Sequence, residues 1–168
     1  MENKPLLSDG FIKWVIDQDF NNKTILEIGS GFSTLFFSNY FDKVNSFESD
    51  ILWYDTLSNM INEKKIKNVT LNLMNIDILN DIHFLNLVKT NDAFLIDNNP
   101  RFLSRFNFVK FIHNNKKLDS IIIFDNGDWH KESYEFLRTN YYCLDFLRTE
   151  HERITQTSVF FGRRNNLI

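Results

Sequence analysis

The sequence predicts a doubly wound, mostly parallel α/β sheet of seven strands that closes with an antiparallel strand. Three observations carry that reading. Strand-like and helix-like segments alternate along all 168 residues, with no repeat, low-complexity tract or Pro/Gly linker between them, so residues 1–168 read as one domain. The run Ile121-Ile122-Ile123-Phe124 is apolar on both faces, as in a central strand covered by helices on both sides. A glycine-punctuated turn, Gly29-Ser30-Gly31, follows the first strand and opens a helix.

The elements follow in order. Ser8-Asp9 can cap a first helix carrying Phe11, Trp14, Val15 and Ile16. The first strand covers residues 24–29 and is followed by a helix over 33–40. The second strand covers 43–48, and Asp50 caps a helix through Leu52, Trp53, Leu57, Met60 and Ile61, which recur at helical spacing. The third strand, 68–74, alternates Val69, Leu71 and Leu73. A helix over 77–89, a strand over 93–97, a helix over 102–117, a strand over 120–125 and a helix over 131–140 come next. Two final strands, 142–148 and 156–163, flank a polar loop over 149–155. Five strand–helix units and a closing pair give the doubly wound topology.

Composition narrows the function. The chain is 43% hydrophobic and 24% charged, as in a water-soluble globular protein. Its net charge of −3 and short basic clusters argue against a nucleic-acid partner, because phosphate neutralisation needs clustered Lys and Arg. Its one cysteine, Cys143, excludes an internal disulfide and reads as a small core residue. No apolar run reaches the 18 or so residues of a membrane span, and no signal-peptide core follows Met1, so a cytoplasmic location is expected.

Ligands of such sheets bind beyond the carboxyl ends of the strands. Here those ends carry Glu27, Glu48, Asn75 and Asp77, Asp97, and Asp125. Buried unpaired carboxylates are costly, so this acidic edge points to a polar ligand site. Gly29-Ser30-Gly31 alone could be only a tight turn. Glu48, 17 residues after Gly31, can accept both hydroxyls of a ribose. Thr34 would crowd a pyrophosphate and Glu27 would repel one. The ligand that suits them lacks phosphate and carries positive charge, as S-adenosylmethionine does.

The segment Leu26-Glu27-Ile28-Gly29-Ser30-Gly31-Phe32-Ser33-Thr34 resembles motif I of the class I S-adenosylmethionine-dependent methyltransferases. Ser46-Phe47-Glu48-Ser49-Asp50 with Trp53-Tyr54, Ala93-Phe94-Leu95-Ile96-Asp97 and Ile122-Ile123-Phe124-Asp125-Asn126-Gly127-Asp128-Trp129 resemble the family's later segments. The resemblance implies a Rossmann-like methyltransferase fold. It implies that Gly29, Ser30 and Gly31 line the methionine part of the cofactor and that Ser33 and Thr34 bond its carboxylate. Glu27 belongs to the same cradle, Glu48 holds the ribose, Asp77 or a neighbour the adenine amine, and Asp97 faces the ammonium or the reaction centre.

Asp97 with Asp125-Asn126 forms a second constellation. Two carboxylates and an amide on neighbouring strands suit Mg²⁺ or another divalent cation. The pattern is similar to catechol-type and macrocin-type O-methyltransferases, which implies that Asp97, Asp125 and Asn126 hold a metal against the substrate hydroxyl. Read without a metal, Asp125-Asn126-Gly127-Asp128 is a turn. The catechol-type lysine base is missing, since Asn98-Asn99-Pro100-Arg101 follows Asp97. His130 or Asp128 then stands as general base. Arg101 can bind an anionic group, Trp129 can wall the pocket or join the core, and His83, His113 and His151 read as surface residues. The expected reaction moves a methyl group from S-adenosylmethionine to a small-molecule or saccharide hydroxyl, with Asp97, Asp125 and His130 as catalytic residues. A homo-oligomer can complete the acceptor side. The alternatives are an inert binding module of this fold, or an enzyme that cleaves S-adenosylmethionine without an acceptor.

Overall fold

A computed structural model describes residues 4–99, 103–150 and 153–163. Seven strands form one sheet: β1 (Thr24–Ile28), β2 (Lys43–Glu48), β3 (Val69–Leu73), β4 (Ala93–Ile96), β5 (Ile121–Asp125), β6 (Tyr141–Glu150) and β7 (Arg153–Arg163). Their order is β3-β2-β1-β4-β5-β7-β6, parallel from β3 to β5, with β7 antiparallel to β5 and β6. The helices are α1 (Asp9–Asp17), α2 (Phe32–Phe37), α3 (Ile51–Glu63), α4 (Ile82–Thr90), α5 (Arg105–Asn115) and α6 (Lys131–Asn140). None of the described helices is long and apolar enough to cross a membrane.

The inner strands are largely apolar because both faces of the sheet are covered. Leu26, Ile28, Phe94, Ile96, Ile122 and Phe124 pack with Phe84, Phe108, Ile112 and Leu137 from α4, α5 and α6. Ile25, Ala93, Leu95 and Ile123 point the other way, into Phe11 and Val15 of α1 and Phe37 of α2. Successive side chains of a strand alternate sides, which divides one apolar run between two cores.

Several boundaries depart from the expected ones: α2 ends at Phe37 rather than at residue 40 and α5 at Asn115 rather than at 117, and three further departures have an identifiable cause. The segment expected as a helix over 77–89 is a 3-10 turn, Ile78–Asn80, followed by α4, because Asp81 accepts the amides of His83 and Phe84 and restarts the helix. α5 begins later than expected because the Ser104 hydroxyl caps it. The polar segment expected as a loop over 149–155 is mostly strand, since β6 and β7 pair as far as Glu150 and Arg153. Among the described residues there Ile154 is exposed and Thr155 buried, so the polar composition that suggests a loop does not mark which side of a strand each residue takes.

Candidate functional site

The parallel register brings four strand ends together. Ile28 pairs with Phe47 on one side and Ile96 on the other, and Ile96 pairs with Phe124. Gly29, Glu48, Asp97 and Asp125 therefore come next on four adjacent strands. This is also where the connections change direction along the sheet, since β1 lies between β2 and β4.

Gly29 is required at this point. Its φ is +91°, and a Cβ added to it would lie 2.6 Å from the Asn98 Cα. Only a bare backbone can pass so close to the end of β4. Gly31 caps α2 with extended backbone, and a Cβ there would make an ordinary contact with the Ser33 Oγ at 3.7 Å. Both glycines line a cleft of about 460 Å³ together with Ser30, Ser33, Glu48, Asp50, Trp53 and Asp97, under Leu6 and Leu7. Three of the described lining residues are acids and none is Lys, Arg or His.

Glu48 is held rigidly. One carboxylate oxygen accepts the Ser30 amide at 3.0 Å, and the other accepts the Ser49 and Asp50 amides, each at 2.7 Å. The Trp53 indole donates to the Ser30 carbonyl at 2.8 Å and braces the turn from the other side.

Glu27 lies beneath the turn, fully buried. Its carboxylate accepts three hydroxyls: Ser33 at 2.5 Å, Thr34 at 2.5 Å and Ser46 at 2.6 Å. Burial raises its pKa to about 7, and the three hydroxyls oppose that rise only in part. Sequence reasoning set Ser33 and Thr34 against the ligand's carboxylate. The structure turns both hydroxyls inward to Glu27, with Ser33 at the edge of the cleft and Thr34 wholly enclosed. Glu27 and Thr34 thus shape the cradle from below. Ser46, buried in a central strand, was given no role from the sequence, although a polar residue at such a position is a signal.

The ends of β4 and β5 are joined by Arg105, which sequence reasoning did not single out. It is only 6% exposed. Its Nε donates to the Asn98 carbonyl at 2.9 Å, Nη1 to the Asp125 carbonyl at 2.6 Å and Nη2 to Asp97 Oδ1 at 2.9 Å. The signal was present: Arg105 stands in the stripe Arg105, Phe108, Val109, Ile112, the buried face of α5. Asp97, whose side chain is 26% exposed, reaches the cleft; burial pushes its carboxyl up and Arg105 pulls it back.

Asp125 is different. It is 2% exposed, is absent from the described cleft lining, and accepts the Thr157 hydroxyl at 2.6 Å. Thr157 in turn accepts the Ser8 amide at 3.1 Å, anchoring the start of α1. Burial and the neighbouring charge of Asp97 raise the Asp125 pKa to about 7. Asn126 takes a left-handed φ of 54° and opens the turn into α6, its carbonyl accepting the Trp129 and His130 amides. Asp97 and Asp125 lie close enough for their charges to interact, but each is held by a partner other than a metal. Asp97 is paired with a guanidinium and Asp125 is turned to Thr157, so this donor set does not fit a divalent ion. No cluster of three or more His, Cys, Asp or Glu suited to a metal occurs among the described residues.

The other expected residues are dispersed. Asp77 is exposed beyond β3, outside the described cleft lining. His130 is half-buried at the start of α6, and burial and Arg105 lower its pKa, leaving the imidazole neutral at pH 7. Trp129 is exposed, so it belongs to neither the core nor the described cleft wall. His113 is not a free surface residue, since its Nδ1 shares a 2.8 Å hydrogen bond with the Tyr141 hydroxyl. Cys143 is half-buried, packs against the edge of the core and donates its thiol to Asp145. Arg101 and His151 lie outside the described residues.

No protein-family model matches this sequence, and no curated protein sequence matches it. Solved structures do resemble the fold. The O-methyltransferase TomG of Streptomyces achromogenes, involved in tomaymycin synthesis and crystallised with S-adenosylmethionine, superposes with a TM-score of 0.71 at 13% identity, over 93% of this chain and 81% of its own. An rRNA methylase from Streptococcus thermophilus superposes with a TM-score of 0.68 at 14% identity, over 97% and 98%. The precorrin-6y C5,15-methyltransferase of Geobacter metallireducens gives 0.64 at 13% identity, over 90% and 86%. The strand order, the glycine turn beyond β1 and these neighbours agree: the chain has the Rossmann-like fold of the S-adenosylmethionine-dependent methyltransferases.

Proposed function

We propose that this protein is an S-adenosylmethionine-dependent methyltransferase acting on a small-molecule or sugar hydroxyl. One observation carries the reading: the described lining of the cleft beside the glycine turn holds Glu48, Asp50 and Asp97 and no basic side chain. Such a surface disfavours the pyrophosphate of a dinucleotide and favours a nucleoside ligand bearing positive charge. The net charge of −3 likewise supports a small acceptor over a nucleic acid.

When bound, S-adenosylmethionine supplies a methyl group already activated by its sulfonium. The protein's share is alignment. Glu48, fixed by three backbone amides, presents its carboxylate to the ribose hydroxyls. Asp97, steadied by Arg105, faces the ammonium end. Gly29 and Gly31 keep the cleft free of side chains. On the acceptor side His130, at the start of α6 and outside the described cleft lining, is the candidate to take the hydroxyl proton at a ring nitrogen, with Asp128 near it.

Calorimetry with S-adenosylmethionine, S-adenosylhomocysteine and NAD tests the first step. Binding of NAD alone, or of none of the three, overturns the reading. Incubation with methyl-labelled S-adenosylmethionine and a panel of hydroxylated acceptors tests the second. Formation of S-adenosylhomocysteine with labelled acceptor distinguishes methyl transfer from inert binding and from acceptor-free cleavage.

A further inference from the structure

We propose that Arg105 stands where a divalent cation would otherwise be needed: it is a positioning residue that aims Asp97 into the cleft and sets the spacing of the β4 and β5 ends, so that the site works without a metal. The inference rests on the methyltransferase reading above. It is carried by geometry. All three donor nitrogens of the guanidinium are engaged, and they bridge both strand ends: the Asn98 carbonyl and Asp97 carboxylate after β4, and the Asp125 carbonyl at the end of β5. Its carbon sits 5.9 Å from the centre of the Phe124 ring, which covers it from the side of the core. A buried guanidinium is tolerated when it is paired and hydrogen-bonded, and here it is paired with Asp97 and each of its three nitrogens donates to an oxygen.

A divalent ion drawn to Asp97 would sit against this fixed positive charge and be repelled. Nor would it find the rest of a shell. Asp125 is committed to Thr157, and neither Asp125 nor Asn126 belongs to the described cleft lining. Arg105 does what a metal would do for geometry, which is to gather acidic strand ends into one arrangement. It does so from α5, with its own backbone anchored by the Ser104 cap.

The test uses the intact protein. Mn²⁺ is titrated in, with free ion read by electron paramagnetic resonance. S-adenosylmethionine binding is measured by calorimetry in EDTA and in Mg²⁺, for the native protein, Arg105→Lys and Arg105→Ala. The expected results are no stoichiometric Mn²⁺ binding and equal cofactor affinity in both buffers. Binding by Arg105→Ala should weaken by about tenfold or more, the scale of a lost charged hydrogen bond, with part restored by methylguanidinium or by lysine at the position. A stoichiometric Mn²⁺ site that disappears in Asp97→Asn overturns the proposal. So does cofactor binding strengthened by Mg²⁺, native-like binding by Arg105→Ala, or a loss that neither methylguanidinium nor lysine restores. If Arg105→Ala does not fold, Arg105→Lys and the Mn²⁺ titration of the native protein decide. A native protein that binds no S-adenosylmethionine would overturn the methyltransferase reading instead, and the Mn²⁺ titration would still decide this one.

Discussion

Replacing Glu27 by glutamine isolates the one fully buried carboxylate of the site. In the folded chain its pKa is raised from 4.5 to about 7, chiefly by burial. Between those values the folded protein binds a proton that the unfolded chain has released. Glu27's contribution is therefore most favourable below about pH 4.5 and is lost as pH rises towards 7. At about 1.4 kcal/mol per pH unit the interval is worth about 3 kcal/mol. Glutamine cannot ionise, so Glu27→Gln should lose that share of the slope while keeping an oxygen to accept one of the three hydroxyls. Urea unfolding at several pH values from 4.5 to 8 measures it. The native protein should lose about 3 kcal/mol more than the variant across the range, and Asp125, also raised to about 7, cancels in the difference because both proteins keep it. A cationic ligand favours the ionised carboxylate, so binding of S-adenosylmethionine at pH 7 should release up to about half a proton from Glu27, a release that the variant lacks. Parallel stability profiles for the two proteins would refute the reasoning, since Glu27 would then titrate alike in the folded and unfolded chains.

Three further substitutions test the framework. Gly29→Ala places a Cβ 2.6 Å from the Asn98 Cα at a φ of +91°, and should lower stability by about 3 kcal/mol or prevent folding; an unchanged melting temperature would contradict the close approach. Glu48→Gln keeps the shape but removes the ionised acceptor, and should weaken S-adenosylmethionine binding by about tenfold to a hundredfold in calorimetry, whereas equal affinity would remove Glu48 from the ribose. Thr157→Val deletes the hydroxyl that links Ser8 to Asp125 and should cost about 2 kcal/mol in denaturant unfolding, while a neutral result would show the link to be dispensable.

Much of the fold was legible because it is written in local chemistry. Ile121-Ile122-Ile123-Phe124 can be buried on both faces only in a covered strand, and it is β5. Asp50 and Ser8 cap the helices they were expected to cap, since a short side-chain oxygen before an apolar-periodic segment satisfies local amides wherever the helix then packs. Less legible were features settled by competition between neighbouring caps or by a distant partner. The break between the 3-10 turn and α4 turned on which of two aspartates, Asp77 or Asp81, captured the amides. Thr149-Glu150 and Arg153-Ile154-Thr155 are strand because β7 comes back alongside β6, which no residue in that segment announces.

The site divides the same way. By itself the sequence determined the glycine turn, the acid at the end of β2 and the carboxylates at successive strand ends, because residue type and strand position together place a group at the edge of a sheet. Tertiary structure alone decided which way those groups point. Ser33 and Thr34 turn from the ligand to Glu27, and Asp125 turns from the cleft to Thr157, 32 residues away. Arg105 enters between β4 and β5 from a helix that reads as core. A buried charge takes whichever partner the packed chain brings within hydrogen-bond distance, and that distance is a property of the assembled sheet and helices, not of spacing along the chain.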